Sequence, residues 1–508
     1  MSQQFDVVVI GAGQNGLMLA NRLNKKGKKV LVLEKEKVIG GLAAKREFAN
    51  GFFANGILQD TTMVRKKTLA GLNLDQQLGW NEWAPTIFTP TANGLGLALH
   101  GDLDKVCLEI AKHSQKDATA FRTYRAFVAR ISKPMRKFLT TVPAHFESMS
   151  VKEKWELLST GLSVRLLGKK DMHELMRVPP MPVYDWLNEF FECEELKASL
   201  ALDAVSGTTT GPWSPGTAMN LLYKEVLREV GIKKGPSHLV HCLKQNAEKN
   251  GVVFKTNSLV QKVLMNQNQA AGVLLASGES IKANTVVSTL DPKNTFTKLL
   301  DPSLKTQVFQ ENLKNFRMRG TVGVMNLGLT APLRFKGQGQ TYEFARVVPS
   351  LVALEKAFDA TKYQEMSEIP CLEIYMAKAE NADLAPAGKS TVQILVHYVP
   401  YINDQKKNEL LKSQMKERVL NVLKNSVETL TVEAMEILTP FDLETTFGLT
   451  GGHLHHGEHA IDQLLVRPFP ACARYESPYD GFYLCGSGSF PGGNLTCLPG
   501  HLASTVIQ

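Results

Sequence analysis

Three glycines, Gly11, Gly13 and Gly16, stand at G-x-G-x-x-G spacing, and an acid, Glu34, follows them. Each residue type has a job in phosphate chemistry. Gly11 permits a tight strand-to-helix turn, Gly13 lets backbone approach a pyrophosphate, and Gly16 lets helix and strand pack closely. A helix opening there presents unpaired N–H groups and its positive dipole end to the phosphates. Glu34 is placed to accept hydrogen bonds from ribose hydroxyls. Gly40 and Gly41 extend the pattern to E-x5-GG. Such a pair brings backbone close to the pyrophosphate and ribose of FAD and is uncommon in NAD sites. The competing reading is an ordinary glycine turn. The pattern predicts an FAD site.

A second chemical cluster runs from Gly451 to Gln463. It holds His453, His455, His456 and His459 with Glu458 and Asp462. Imidazole and carboxylate together suit zinc or iron. The flanking glycines favour a loop over the helix that would set His455 and His459 on one face, so no metal site is expected and the loop is read as solvated or substrate-facing. The seven cysteines are scattered, with no C-x2-C or C-x4-C pair. That spacing excludes a disulfide framework, a structural zinc site and a dithiol redox centre.

The elements that must position these groups follow from pattern. Phe5 to Ile10 reads as a buried parallel strand, Leu17 onward as a helix and Lys28 to Glu34 as a second strand. Leu69 to Leu78 looks helical, and Ile87 to Leu99 suits a strand or hairpin. Asp102 to about Glu229 is helical in pattern, punctuated by prolines, and is read as an insertion. Strand and turn signals return near Gly235, with strands expected at Val252 to Lys255, Leu259 to Met265, Ala271 to Ala276 and Thr285 to Ser288. Phe316 to Ile437 alternates strand-like and helical runs. The C-terminus is glycine-rich, with a strand at Gly481 to Leu484, a turn at Pro491-Gly492-Gly493 and a helix after Leu495.

The chain has 508 residues, a net charge of +9 and 44% hydrophobic residues, enough for two to four domains with a sizeable core. No apolar run reaches the roughly 18 residues that span a bilayer. The first strand begins too early for a signal peptide, so a cytoplasmic protein is expected. No nucleic-acid-binding motif accompanies the positive charge. Within the insertion, Phe121 to Leu139 carries an apolar stripe flanked by Arg122, Arg125, Arg130, Lys133, Arg136 and Lys137. The stripe either packs on the substrate domain with its charges solvated, as in most soluble enzymes, or lies on an anionic membrane surface, with Pro134 kinking the helix or ending it near Lys133.

The N-terminal fingerprint, together with GFYLCGSGSFPGGNLTCLPGHLAS at the other end, resembles the phytoene-desaturase and carotenoid-isomerase type of flavoprotein, which belongs with the flavin amine oxidases and retinol saturases. SPGTAMNLLYK, STLDPKNTF and GGHLHHGEHAIDQLLVRP resemble its pyridine nucleotide-disulphide oxidoreductase domain-containing subgroup. The resemblance implies an α/β fold. A Rossmann-like FAD-binding domain would comprise residues 1–100, 233–300 and 465–508, and a mixed α+β substrate domain with the helical insertion residues 101–232 and 301–464. Gly11, Gly13, Gly16, Glu34 and Lys35 would hold the ADP half. Gly41, Leu42 and Ala43 would line the pyrophosphate and ribityl path, and Val260 would offer backbone to adenine. Gly486, Ser487, Gly492, Gly493, Asn494 and Leu495 would lie along the isoalloxazine and pyrophosphate. Asn494 stands where the family carries a third glycine, and Gly235-Pro236-Ser237-His238 stands where it carries G-G-x-G. His456 matches the subgroup pattern and is the candidate acid or base, since imidazole titrates near neutrality. The implied activity is hydride transfer between flavin N5 and a C–C or C=C bond of an apolar, polyene- or lipid-like substrate. An amine oxidase and a non-catalytic FAD-binding partner or assembly protein are the alternatives.

Overall fold

The computed structural model describes residues 4–144, 149–377 and 383–508. The fold is mixed α/β, with a Rossmann-like dinucleotide-binding region and a separate substrate region of sheet and helices. The first strand, Phe5–Ile10, is apolar at nearly every position because both its faces are covered: Val7 and Val9 share a core with helix residues such as Leu19 and Leu502, and Phe5, Val8 and Ile10 share one with the antiparallel strands around Val263 and Val273. It pairs in parallel with Val30–Leu33 on one side and Ser280–Ser288 on the other. Val253–Lys255 extends the sheet beyond Val30–Leu33, and Phe482–Leu484 extends it beyond Ser280–Ser288. All of these pairings are parallel. The N-terminal half of Ser280–Ser288 leaves this layer to form an antiparallel meander with Gln269–Leu275 and Val260–Asn266. The crossover helix Gln14–Lys25 packs against the helix Pro236–Lys249 and the C-terminal helix Leu498–Val506. Both chain ends therefore meet over the carboxyl edge of the parallel strands, where doubly wound sheets bind ligands.

The second sheet runs in the order Val432–Leu438, Val322–Leu329, Ser390–His397, Cys371–Met376, Phe344–Val347, Ile87–Thr89, Leu97–Leu99. The hairpin Ile87–Thr89 and Leu97–Leu99 joins this sheet by pairing Ile87 with Phe344. The first segment thus passes into the substrate region short of the expected boundary at residue 100. Leu69 to Leu78 is not one helix but two short ones, Lys66–Leu69 and Asp75–Leu78, separated by Gly71 and Asn73, both at positive φ.

The insertion is helical throughout its described residues outside the connecting turns. Its longest helix, Gln115–Leu139, continues past Pro134, so it does not end near Lys133. Proline inside a helix costs about 3 kcal/mol. Here Ile131, Pro134, Met135 and Leu139 are all buried, and that burial outweighs the lost hydrogen bond. The same packing overturns this helix as a membrane face. Phe121, Tyr124, Phe127, Val128 and Ile131 lie in the core, with the Tyr124 ring 5.5 Å from that of Trp186. Its bases are engaged as well: Arg125 with Glu225, Arg130 with Asp171, Arg136 with the Val226 carbonyl and Lys137 with Ser159. Among the described residues no helix is long and apolar enough to cross a membrane.

Candidate functional site

The glycine turn follows directly from the sheet. Gly11 leaves the strand at φ 95°, a left-handed conformation that favours glycine, and its N–H donates to the Leu33 carbonyl at 2.8 Å. A Cβ on Gly16 would stand 2.2 Å from the Gly11 carbonyl oxygen, so Gly16 sets helix-to-strand distance. A Cβ on Gly13 would meet nothing within 4 Å. It would project into open space over the helix N-terminus. The Gly40 N–H donates to the Ala12 carbonyl at 3.0 Å, which lays the second glycine pair against the first turn. Glu34 is buried at the strand end. Its carboxylate accepts the Ala12 N–H at 2.8 Å and the Glu36 N–H at 3.1 Å.

Apart from Ala12 and Gly16, which pack behind the wall, these residues line a cleft enclosing about 2100 Å³, the solvent at its mouth included. Gly11, Gly13, Glu34, Lys35, Gly41, Leu42, Ala43, Val260, Ser487, Leu495 and His456 all face it. Asn15 lies on the same wall. Its Nδ2 reaches Ser487 at 3.3 Å, and its buried Oδ1 has no partner among the described residues. The open space at Gly13, the N-terminal helix end and this unpartnered polar atom fit a dinucleotide. Gly486, Gly492 and Gly493 do not line the cleft. A Cβ on Gly486 would come 2.4 Å from the Thr289 carbonyl oxygen, one on Gly492 2.6 Å from Arg467 Nε and one on Gly493 2.3 Å from His459 Nε2. These three permit close packing behind the wall. Asn494 holds the left-handed conformation that its missing glycine would have supplied, at φ 53°. Its carbonyl accepts from Gln14 Nε2 at 2.6 Å, joining the two chain ends.

The histidine loop is buried rather than solvated. Arg467, wholly enclosed, is its anchor. It donates to the carbonyls of Glu458 at 2.8 Å, Gly457 at 2.7 Å and His455 at 3.1 Å. Burial brings its guanidinium pKa down to about 10. His453 Nδ1 accepts the His455 and Gly457 N–H groups, and His455 Nδ1 accepts the Asn494 N–H at 2.9 Å. Those backbone donors fix both rings with the proton on Nε2. Burial lowers the His453 pKa to about 3, pushes His455 and His459 well below the usual imidazole range, and lowers His456 against the opposing pull of Asp291. His456 faces the cleft with a buried, unpartnered Nδ1. No group of three ligand side chains among the described residues is arranged to hold a metal.

Beyond Leu58, Leu454 and Leu495 the cleft adjoins a second, narrow chamber, about 650 Å³ with the open solvent at its mouth included, which the sequence did not announce. It is lined by Asp60, Lys224, Glu373, His397, His453 and His455, among others. Lys224 pairs with buried Asp203 at 3.2 Å, and Arg346 bridges Asp203 at 2.8 Å and Glu373 at 3.1 Å. These cations, with Arg228, hold the Asp203 carboxyl well below its ordinary range despite burial, and Arg346 helps bring Glu373 down to about 2. Asp60 is more loosely held. Its Oδ1 takes the Thr62 N–H and hydroxyl, while Oδ2 lies 4.0 Å from Arg228. A third narrow space, about 630 Å³ with open solvent included, shares Gln59 and Tyr375 with this chamber, and Phe53, Phe344, Met376 and Val392 give it an apolar wall. All seven cysteines are free, and burial raises Cys371 and Cys497 to about 12.

Residues 16–500 match the model of the family described as flavin containing amine oxidoreductase. The chain is 30% identical to the mouse pyridine nucleotide-disulfide oxidoreductase domain-containing protein 2, over 100% of this chain and 94% of that one. It is 26% identical to a limonene dehydrogenase component of Castellaniella defragrans, over 100% and 95%. Phytoene desaturases stand further off, at 22% to 25% identity. Among solved structures, an oxidoreductase from Methanosarcina mazei superposes with a TM-score of 0.59 at 16% identity, covering 99% of this chain and 100% of that one. A redesigned putrescine oxidase gives 0.60 at 14% identity, over 99% and 97%. The cleft built by both chain ends and the match across nearly the whole length lead to one conclusion: the chain belongs to the flavin containing amine oxidoreductase family and is an FAD-dependent oxidoreductase.

Proposed function

We propose that this enzyme oxidises a small amine carrying an apolar body and bound as its ammonium, taking a hydride from the carbon beside nitrogen and one proton from the nitrogen to leave a protonated imine. FAD in the glycine-lined cleft supplies the hydride acceptor. Gly13, the first turn of the helix Gln14–Lys25 and Glu34 hold the dinucleotide half. Asp60 carries the reading: it is a carboxylate facing the second chamber whose nearest cation lies 4.0 Å away, so it can take up a substrate ammonium. His456 accepts the proton at Nδ1, being kept neutral by burial. Leu58, Leu454 and Leu495 separate the two spaces and exclude water from between them. The apolar wall of Phe53, Phe344, Met376 and Val392 receives the body of the substrate.

A second reading keeps the polyene- or lipid-like substrate and oxidation at a C–C bond. The same apolar wall supports it, as does likeness to a relative named as part of a limonene dehydrogenase. Chambers that adjoin the cleft count against a purely non-catalytic flavoprotein. Anaerobic mixing with alkyl and aryl amines, polyenes and acyl lipids separates the three. Flavin bleaching by amines, with a Kd raised about tenfold in Asp60→Asn for loss of one charge-assisted contact, supports the proposal. Bleaching by polyenes alone replaces it with the second reading, and bleaching by no compound favours the non-catalytic one.

A further inference from the structure

The helix Val151–Arg165 is built inside out. Its bounds follow from a capping box, in which Ser150 Oγ accepts the Glu153 N–H while Glu153 caps the Ser150 N–H. At 100° per residue, Val151, Trp155, Leu158 and Leu162 share one face with Leu166, just past the helix end. In a surface helix that stripe normally turns to the core. Here all five side chains point outward, between 56% and 76% exposed. The polar residues turn inward instead. Glu153 meets Arg474, and Ser159 meets Lys137 of the core-packed helix Gln115–Leu139. No residue of the helix is buried.

Charge surrounds the stripe asymmetrically. Lys152, Lys154 and Arg165 flank it, and Lys169 and Lys170 follow in the next helix; all five are exposed. The acids that accompany them are Glu153, turned to Arg474, and Glu156, 4.0 Å from Lys152. An apolar ridge with an exposed tryptophan and a cationic rim is the pattern of a helix that lies in a bilayer interface. A second copy of the chain docking through the same ridge about a two-fold axis would set the same cations against each other.

We infer that this ridge, Val151 to Leu166, docks the enzyme on an anionic membrane surface. The inference is independent of the substrate, since none of these residues lines the cleft or the adjoining chambers. Trp155, Leu158 and Leu162 enter the boundary between headgroups and acyl chains, and the five cations meet the phosphates. The partition coefficient gains roughly fivefold for each basic residue near the surface.

The test is sedimentation of the holoenzyme with vesicles of phosphatidylglycerol or phosphatidylcholine, at low and high salt. The expected result is binding to phosphatidylglycerol vesicles that weakens with salt. A double variant, Trp155→Glu with Leu158→Glu, lowers it at least a hundredfold. Lys154→Gln with Lys169→Gln lowers it roughly twentyfivefold. Both variants keep the flavin content and thermal midpoint of the parent, because the altered side chains are exposed. Three outcomes overturn the inference: the enzyme stays in the supernatant throughout, the variants bind as the parent does, or Trp155→Glu with Leu158→Glu dissolves a dimer without any vesicle binding having been seen.

Discussion

Replacing Gly13 by valine should abolish flavin binding while leaving the fold alone. Gly13 sits at φ −74° and ψ 179°, an extended conformation that a β-branched residue adopts without strain. Its added Cβ would meet no atom within 4 Å. The apoprotein therefore has no reason to destabilise. The methyl groups would instead occupy the space over the N-terminus of the helix Gln14–Lys25, where a pyrophosphate must lie to reach the backbone N–H groups. A hydrogen bond to a charged group is worth about 1.5–3 kcal/mol, so losing two weakens binding by roughly 3–6 kcal/mol, a hundredfold or more. Gly16→Ala is the control with the opposite character. Its Cβ would stand 2.2 Å from the Gly11 carbonyl oxygen and 3.1 Å from Thr289 Cγ2, and such overpacking costs about 1–3 kcal/mol in the fold itself. Titrating apoprotein with FAD, followed by flavin fluorescence, and melting the same apoproteins separate the two effects. An unchanged Kd in Gly13→Val, or a melting loss as large as that of Gly16→Ala, would refute the reasoning.

Glu34→Gln should weaken FAD binding by about 1–2 kcal/mol, since the carboxylate both lines the cleft and holds the Ala12 and Glu36 N–H groups; equilibrium dialysis checks this. Arg467→Met removes a buried donor from three loop carbonyls and should destabilise the fold by about 3 kcal/mol or more in urea unfolding. Stability should also fall below pH 6.5. His453, His455 and His459 are held neutral in the fold by burial but take up protons when unfolded, so the unfolded state binds more protons as pH drops from 6.5 toward their lowered pKa values. At pH 5 each contributes a loss of roughly 2 kcal/mol, which denaturant titrations of a His459→Asn variant should reduce relative to the parent.

The dinucleotide half of the site was legible because its information is local. Strand, three glycines, helix and Glu34 occupy one short stretch, and the structure assembles them with backbone contacts between near neighbours. The second chamber was not legible, because Asp60, Lys224, Glu373, His397 and His453 come from separate strands, helices and loops, and the two that sit in quoted motifs, Lys224 and His453, carry no sign there that they meet the other three. Arg467 was hidden for a related reason: a lone arginine before a proline gives no sign that it will be wholly enclosed among carbonyls. The glycines marked the histidine stretch as a loop, which it is, but its burial could not be read from them. Periodicity found the amphipathic helix Gln115–Leu139 but left open what covers its stripe, since a stripe looks alike whether protein or lipid lies against it; the structure shows it packed on protein. The next helix carries the reverse lesson. Its stripe is as regular, and only the positions of Arg474 and Lys137 show that the polar face is the one turned inward.

The central claim is that one FAD occupies the cleft between the two chain ends. The most direct measurement is the visible spectrum and acid-released flavin of the purified protein, followed by reconstitution with FAD where it is isolated without flavin. One non-covalent FAD per chain is expected, recovered on reconstitution and absent in Gly13→Val. Protein that releases no flavin and fails to take up FAD while remaining folded would contradict it.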